Sequence, residues 1–203
     1  MIYINLKRLA DIFFSLVLIF IATPMIFIIS ILIKINSSGP IFYRAHRSGL
    51  NGKLFYILKF RTMYYNASTA KMTTSSNDDR VTSLGFYLRK YKIDELPQLV
   101  NVLMGHMSIV GPRPELPYYT MMYSKKEEKI LSVRPGITDF ASVEFYNFNN
   151  LIPDSNSNIF FEENILKKKN RLRLKYVNEI SFLTDCKIFF FTIIKIFRVT
   201  IDK

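Results

Sequence analysis

The pair Asp94-Glu95 is the place in this 203-residue chain where residue type and spacing suggest a reaction. Leu96, Leu99, Val100 and Leu103 follow at helical spacing, and Pro97 suits a first helical turn, whose N–H groups are unbonded in any case. The two acids therefore stand at or near a helix start. There an Asp is a preferred cap and a Glu gains about 0.3–1 kcal/mol from the helix dipole. The chemical reading is a carboxylate nucleophile beside a carboxylate that binds a hard cation such as Mg²⁺, which takes oxygen ligands and shares itself with substrate phosphates. The surrounding cations favour the second reading. Arg80, Arg89 and Arg113 flank the pair, and Gly111-Pro112-Arg113-Pro114 is a rigid turn able to aim a guanidinium at a phosphate through two parallel hydrogen bonds. Lys59 and Arg61 share one face of a predicted strand and could grip a diphosphate, although a basic strand edge that discourages aggregation has the same pattern.

The elements that must carry these residues are legible in outline. Ile41 to Arg47 and Lys53 to Met63 are rich in aromatic and branched residues and flank Gly49-Leu50-Asn51-Gly52, which predicts a β-hairpin. All seven glycines fall between Gly39 and Gly136, so special backbone geometry is concentrated in the middle of the chain. Tyr64 to Ser83 is polar and without period, as is the Asn-rich stretch from Asn147 to Asn158; both are expected loops. Asn66-Ala67-Ser68 in the first has the form of a glycosylation acceptor, irrelevant in a cytosolic domain. Lys167, Lys168, Lys169, Arg171, Arg173 and Lys175 fall in a predicted helix whose cations face solvent or anionic lipid. The apolar run from Ile188 to Phe197 is too short to span a bilayer and contains Lys195, which suits an interfacial helix or a packed one.

Before all of this, Ile12 to Ile33 is an uncharged stretch of 22 residues, long enough for a bilayer core. It is too long for the apolar region of a cleaved signal peptide. Lys7 and Arg8 precede it, and Lys34, Arg44, Arg47 and Lys53 follow it, so both flanks ask to be cytoplasmic. Pro24 sits at its centre, where proline removes a backbone hydrogen bond. These features point to a re-entrant hairpin broken at Thr23-Pro24, with a proline-kinked spanning helix as the alternative.

Composition narrows the classes. With 28 Lys and Arg against 16 Asp and Glu the formal charge is +12, yet 49% of the residues are hydrophobic, which excludes disorder over most of the chain. One cysteine, Cys186, excludes a disulfide scaffold, and His46 and His106 are too far apart in sequence to suggest a structural zinc site. Anionic membrane and nucleic acid are the usual partners of such a surplus.

Taken in order, Lys59-Phe60-Arg61-Thr62-Met63, Asp78-Asp79-Arg80-Val81-Thr82, Asp94-Glu95-Leu96-Pro97-Gln98-Leu99 with Asn101-Val102, and Met107-Ser108-Ile109-Val110-Gly111-Pro112-Arg113-Pro114 resemble the bacterial sugar transferase family, the small monotopic phosphoglycosyl transferases. Lys7-Arg8, Asp11, Gly39-Pro40 and Arg134-Pro135-Gly136-Ile137-Thr138 extend the resemblance over nearly the whole chain. It implies an enzyme at the bacterial inner membrane, on its cytoplasmic face, that moves a sugar 1-phosphate from a UDP-sugar to undecaprenyl phosphate and releases UMP. In that family the Asp of the dyad is the nucleophile that carries a covalent phosphosugar, and the Glu helps hold Mg²⁺; these roles fall on Asp94 and Glu95. Lys59, Arg61, Arg80, Arg89, Arg113, Arg134, Pro135 and Gly136 are the expected substrate-binding residues. Such a step opens the assembly of bacterial capsule, O-antigen, exopolysaccharide or glycoprotein glycans.

The expected fold is α+β: residues 1–36 as a re-entrant anchor, and residues 37–203 as a small, mostly helical catalytic domain with a β-hairpin and basic amphipathic C-terminal helices at the membrane surface. The expected partners are a UDP-sugar, undecaprenyl phosphate and anionic lipids, not nucleic acid; homo-oligomerisation stays open. The chain departs from the family where Thr23 replaces a Ser, where His106 replaces an acid, and where Asp139-Phe140-Ala141-Ser142 replaces a Gly followed by a Gln, so the identity of the sugar does not carry over. Asp185 matches a family acid and is a secondary site candidate. A non-catalytic basic membrane adaptor is the competing class. A binder of single-stranded nucleic acid through the basic and aromatic residues at 41–61 leaves the apolar segment and the dyad without a role.

Overall fold

The computed structural model describes residues 2–65, 78–146 and 157–201. The two expected polar loops, including Asn66-Ala67-Ser68, fall largely outside the described residues. Helix α1 (Ile2–Asn36) contains the apolar segment and is long and apolar enough to cross a membrane. It continues through Pro24 without the expected interruption. Pro24 cannot donate to the carbonyl four residues back, and beside it the Thr23 hydroxyl donates to the Ile19 carbonyl at 2.8 Å, so the turn before the proline keeps a side-chain bond. Asp11, Ser15, Ala22, Ile29 and Ile33 are buried and recur every four or seven residues, which puts them on one face. Phe13, Phe20, Ile21, Phe27 and Ile28 cover the rest and are exposed, an apolar surface of the kind that meets lipid.

The start of α1 is tied to the remainder of the protein by polar groups. Arg8 donates to the carbonyls of Val102 and Leu103 at 2.6 and 2.9 Å, closing the C-terminal end of a short helix, α3 (Gln98–Leu103). The Asp11 carboxylate accepts from the Ile109 N–H at 3.0 Å. Lys7 and the Tyr3 hydroxyl both reach Asp185, whose other oxygen accepts from Tyr176 at 2.7 Å. Asp185 thus fastens the first turns of α1 rather than joining the dyad.

The predicted hairpin is present. Strands β1 (Phe42–Ser48) and β2 (Leu54–Phe60) pair antiparallel, with Phe42 opposite Phe60 and Ser48 opposite Leu54. Beyond β2, Arg61 is buried and turns back to the end of α1, donating to the carbonyls of Ser37 (2.7 Å) and Ser38. Gly39 at φ +116° provides the room, since a side chain there would meet the Arg61 guanidinium. Helix α2 (Ser83–Lys90) is capped by Thr82, whose hydroxyl accepts from Gly85 N–H at 2.9 Å. A 3-10 turn, Ile93–Glu95, then leads into α3.

Two three-residue strands, β3 (Ser108–Val110) and β4 (Gly136–Thr138), pair in parallel. Gly136 lies so close to the backbone of Gly111 that any side chain there would collide with it. Between these strands lie α4 (Pro117–Thr120) and a 3-10 turn, Glu127–Ser132; after β4 come α5 (Phe140–Glu144), α6 (Ser157–Phe160), a π-turn at Phe161–Leu166, α7 (Lys167–Asn178) and α8 (Phe182–Ile201).

Apolar packing joins these pieces in patches. Ile29 and Ile33 of α1 meet Phe60 and Leu88, while Phe55, Ile57, Val102 and Met107 bind the hairpin to α3. Val110, Tyr176 and Ile188 pack β3, α7 and α8 together. Helix α8 is both packed and exposed: Ile188 is fully buried, while Phe182, Phe190 and Phe197 point outward.

Candidate active site

The dyad is held by three elements that converge on the turn at Ile93–Glu95. Lys92 enters it with φ 58°, a left-handed residue that swings the chain so that both acids turn inward and are buried. Neither acid caps α3, whose N-cap position is Pro97 and carries no side-chain bond, so the capping role open to Asp94 from sequence is not used. Asn101 on α3 donates to the Tyr56 carbonyl at 2.8 Å and accepts from Leu58 N–H at 2.9 Å, pairing with β2 as a strand neighbour would. This clamp brings Lys59 to the dyad, with its ammonium 2.7 Å from Glu95 Oε1 and 4.0 Å from Asp94 Oδ2.

Arg113 approaches from the other side. Its two terminal nitrogens bond both Glu95 oxygens, the Nη1–Oε2 contact at 2.7 Å, in the fork geometry that suits a carboxylate. The arginine is held in turn by the Ile137 carbonyl on β4 and, through its own N–H, by Asp139 at 3.0 Å. Asp139 is fully buried and caps α5 by accepting from Ser142 N–H. Behind it Arg173 pairs with Glu115 at 2.8 Å and lies 3.9 Å from Asp139. One of the cations expected to face solvent or lipid from the basic helix is therefore buried in a charge network behind the site, because two acids wait there to offset its desolvation.

The two carboxyls are pushed apart electrostatically. Burial drives the Asp94 carboxyl above the usual range, opposed by Lys59 and reinforced by the charge of Glu95. Burial also works against ionisation of Glu95, but the Arg113 guanidinium and Lys59 overcome it and hold that carboxyl well below the usual range. Asp94 Oδ1 is buried with no hydrogen-bond partner among the described residues. The arrangement is one spoken-for carboxylate beside a second that lines a cavity of about 1670 Å³ and has one buried oxygen without a partner.

Lys59, Arg61, Arg80, Arg89 and Arg113 all line that cavity. Their side chains do different things. Arg89 donates to the Thr62 hydroxyl at 2.8 Å and lies in the field of Asp94, and Arg80 grips Asp78 through two nitrogens. The nitrogens of Arg61 that make bonds all point to α1, away from the diphosphate position expected for them. Arg134, Pro135 and Gly136 lie off this cavity: Arg134 donates to the Gly105 carbonyl at 3.0 Å, and the glycine serves the close β3–β4 contact. Asp139, Ala141 and Ser142, from the segment that departs from the family, line the cavity, as do Lys92 and Tyr146, which are not among the residues expected from sequence. Asp139 was visible there as a departure; Lys92 and Tyr146 carry no local pattern.

Apolar residues line the cavity as well, Leu18, Ile21, Ala22 and Met25 from α1 and Phe189, Ile193 and Ile196 from α8. One pocket thus joins the apolar helices to a buried carboxylate pair ringed by cations, and the bacterial sugar transferase family matches residues 2–199, the whole of this arrangement. The chain belongs to that family. It is 34% identical over 194 residues to the UDP-glucose:undecaprenyl-phosphate glucose-1-phosphate transferase of Escherichia coli K12, covering 94% of this chain and 40% of that protein. A putative undecaprenyl-phosphate N-acetylgalactosaminyl 1-phosphate transferase of Bacillus subtilis is 43% identical over 137 residues, 67% of this chain and 73% of that one. The exopolysaccharide production protein PSS of Rhizobium leguminosarum is 33% identical over 199 residues, with 93% and 94% covered. The chain spans well under half the length of several of the relatives it matches, the E. coli transferase among them.

Among the described residues no three His, Cys, Asp or Glu side chains cluster as a protein-only metal cage. Mg²⁺ does not require one, since it is commonly held by one or two carboxylates plus substrate phosphates and water. The lone pair left on Glu95 Oε2 is an oxygen donor of the right kind, so the dyad fits an ion held otherwise by substrate phosphates and water.

Proposed function

We propose that this sugar transferase moves a sugar 1-phosphate from a UDP-sugar to undecaprenyl phosphate, through a phosphosugar carried on Asp94. The observation that carries the reading is the contrast within the dyad: Glu95 is bound by Arg113 and Lys59, and Asp94, which lines the cavity, has an oxygen with no partner. In the first half-reaction Asp94 attacks the sugar-bearing phosphorus. A P–O bond forms to the carboxylate, the P–O bond to the bridging oxygen breaks, and UMP leaves with that oxygen and its electron pair. In the second, an oxygen of the lipid phosphate attacks the same phosphorus, and the Asp94 carboxylate departs as undecaprenyl diphosphosugar forms. The two substrates need not be bound together, which suits a cavity with both charged and apolar lining.

A carboxylate approaching a diphosphate meets like charge, and Lys59, Arg89 and Arg113 supply positive charge where it accumulates. Mg²⁺ held by Glu95, when bound, would add charge neutralisation at the diphosphate oxygens. Glu95 also fixes the Arg113 fork and the Lys59 ammonium beside Asp94. The Asp94 carboxyl must be ionised to attack, and its burial favours a nucleophile poorly solvated and hence reactive once ionised.

The anchor reading is re-entrant, with residues 1–36 entering and leaving on the cytoplasmic face of the bacterial inner membrane. Drawn straight, the stretch from Arg8 to Ile33 would be roughly 38 Å long. Yet Arg8 bonds Val102, and Ile33 belongs to the cluster that Leu96 joins, only six residues away in a mostly helical segment. Docking sites this close support a helix bent at Pro24 with both flanks on one side. Residues 37–203 then form the catalytic domain, whose basic α7 surface and exposed α8 aromatics face anionic lipid.

The test is release of UMP from a panel of UDP-sugars by the full chain in detergent with undecaprenyl phosphate. Release from one donor, dependent on Asp94, is the expected result. No release from any donor would favour the non-catalytic adaptor.

A further inference from the structure

The cavity does not end at the dyad. Phe145, Phe161, Tyr119, Lys169, Arg47 and Glu115 line it as well, and we call this part the chamber. The rings of Tyr119 and Phe161 lie 5.2 Å apart, and the Lys169 ammonium lies over Phe161 at 5.2 Å and Phe145 at 5.9 Å from the ring centres. Glu115, held by Arg173, lies within the field of both Lys169 and Arg47. The π-turn at Phe161–Leu166 directly precedes Lys169 and sets Phe161 inward, where it is buried.

We infer that this chamber receives the uracil ring of the nucleotide donor, with the Phe145 ring against its face and Lys169 and Glu115 at its polar edge. The inference rests on the reaction proposed above, and two features carry it. The first is chemical. Uracil is flat and neutral and presents two carbonyl acceptors around one N–H donor; the half-buried Phe145 ring, the amine lying over it and the Glu115 carboxylate are groups that suit a flat face, a carbonyl and an N–H. Burial, with Arg173 adding to it, brings the Lys169 ammonium down to about 7, so the amine carries less charge than a surface lysine and suits a neutral partner.

The second feature is position. The sugar is bonded through one oxygen to the phosphorus that Asp94 attacks, and so must lie against the dyad, beside Lys92 and Tyr146. The base is the part of the donor furthest from that phosphorus, separated from it by the ribose and the other phosphate. Lys169 lies in the field of Arg173, Glu115, Asp139 and Arg113, the groups that back the dyad on its Arg113 side. The apolar lining from α1 and α8 is already accounted for by the lipid substrate.

The test uses the full chain in detergent and two probes, UMP and ribose 5-phosphate, which differ by the base. The wild type is expected to bind UMP more tightly, and saturation-transfer NMR is expected to be strongest at uracil H5 and H6. Lys169→Met and Phe145→Leu should each weaken UMP by roughly 10-fold, the scale of one lost base–aromatic contact, and leave ribose 5-phosphate unchanged. Equal binding of the two probes by the wild type, or saturation confined to ribose protons, would overturn the assignment without any variant. So would unchanged UMP affinity in both variants, above all if their preference among sugar donors moved instead. Because UMP binding is read directly, absence of UMP release from every donor would sink the reaction alone, whereas intact release with unaltered UMP binding in the variants would sink the chamber alone.

Discussion

Arg113 holds Glu95 by both carboxylate oxygens, and that pairing leaves its neighbour Asp94 as the carboxylate with an unpartnered oxygen. Two adjacent acids, identical in sequence terms, are made chemically unlike by one guanidinium. The division of labour between nucleophile and ligand follows from it.

Asp94→Asn should lower UMP release by roughly 10³-fold or more, because an amide is a poor nucleophile. The same variant should melt at or above the wild-type temperature, since a neutral amide replaces a buried carboxylate that lacks a full set of partners. Normal turnover in this variant would remove Asp94 from the nucleophile role.

Glu95→Gln breaks the fork and leaves Arg113 and Lys59 half-paired. Stability should drop by about 3 kcal/mol, the usual scale for removing one partner of a buried ion pair. The concentration of Mg²⁺ needed for half-maximal activity should rise, since an amide is a poorer ligand for a hard cation. A Mg²⁺ titration identical to the wild type would leave Glu95 a purely structural anchor for Arg113.

The pH dependence has a definite sign. Asp94 acts when ionised, and burial raises its carboxyl above the ordinary value of about 4, so the acid limb of the rate profile should lie above that value and activity should fall as pH drops through it. Lys59 opposes the shift, so Lys59→Met should move the limb to higher pH. A limb that stays in place would mean that some other group sets it.

Arg61→Lys should cost stability, about 1.5–3 kcal/mol for charged hydrogen bonds to the carbonyls that end α1, while the KM for the UDP-sugar stays within about 2-fold. A large rise in KM with an unchanged melting temperature would return Arg61 to the diphosphate.

Topology can be read by labelling. Asn5 is exposed, so Asn5→Cys in a Cys186→Ser background reports the side on which the N-terminus lies. An impermeant maleimide on intact cells should leave it unlabelled. Strong external labelling would replace the re-entrant anchor with a kinked spanning helix.

Much of this protein is written locally. The hairpin around Gly49–Gly52 and the helical spacing after Asp94 are short-range patterns, and each became the element it predicted, because period and turn chemistry act over a few residues; the apolar run before Lys34 became one long helix that continues through Pro24. The dyad and its cations were also visible as an ordered series of motifs. What the sequence by itself could not decide was which cation meets which acid. Lys59 and Arg61 sit two residues apart on one predicted strand face, yet one bonds Glu95 and the other closes the end of α1, because β2 has ended at Phe60 and the chain has turned. Strands β3 and β4 are three residues each, too short to show a period, and exist through the close approach of Gly111 and Gly136 across 25 residues of chain. Arg173 reads as one more cation in a basic run and becomes a buried partner of Glu115 only when α7 packs behind Asp139. Local propensity selects elements, but burial and charge pairing depend on groups far apart in sequence, and so they were settled only in the folded chain.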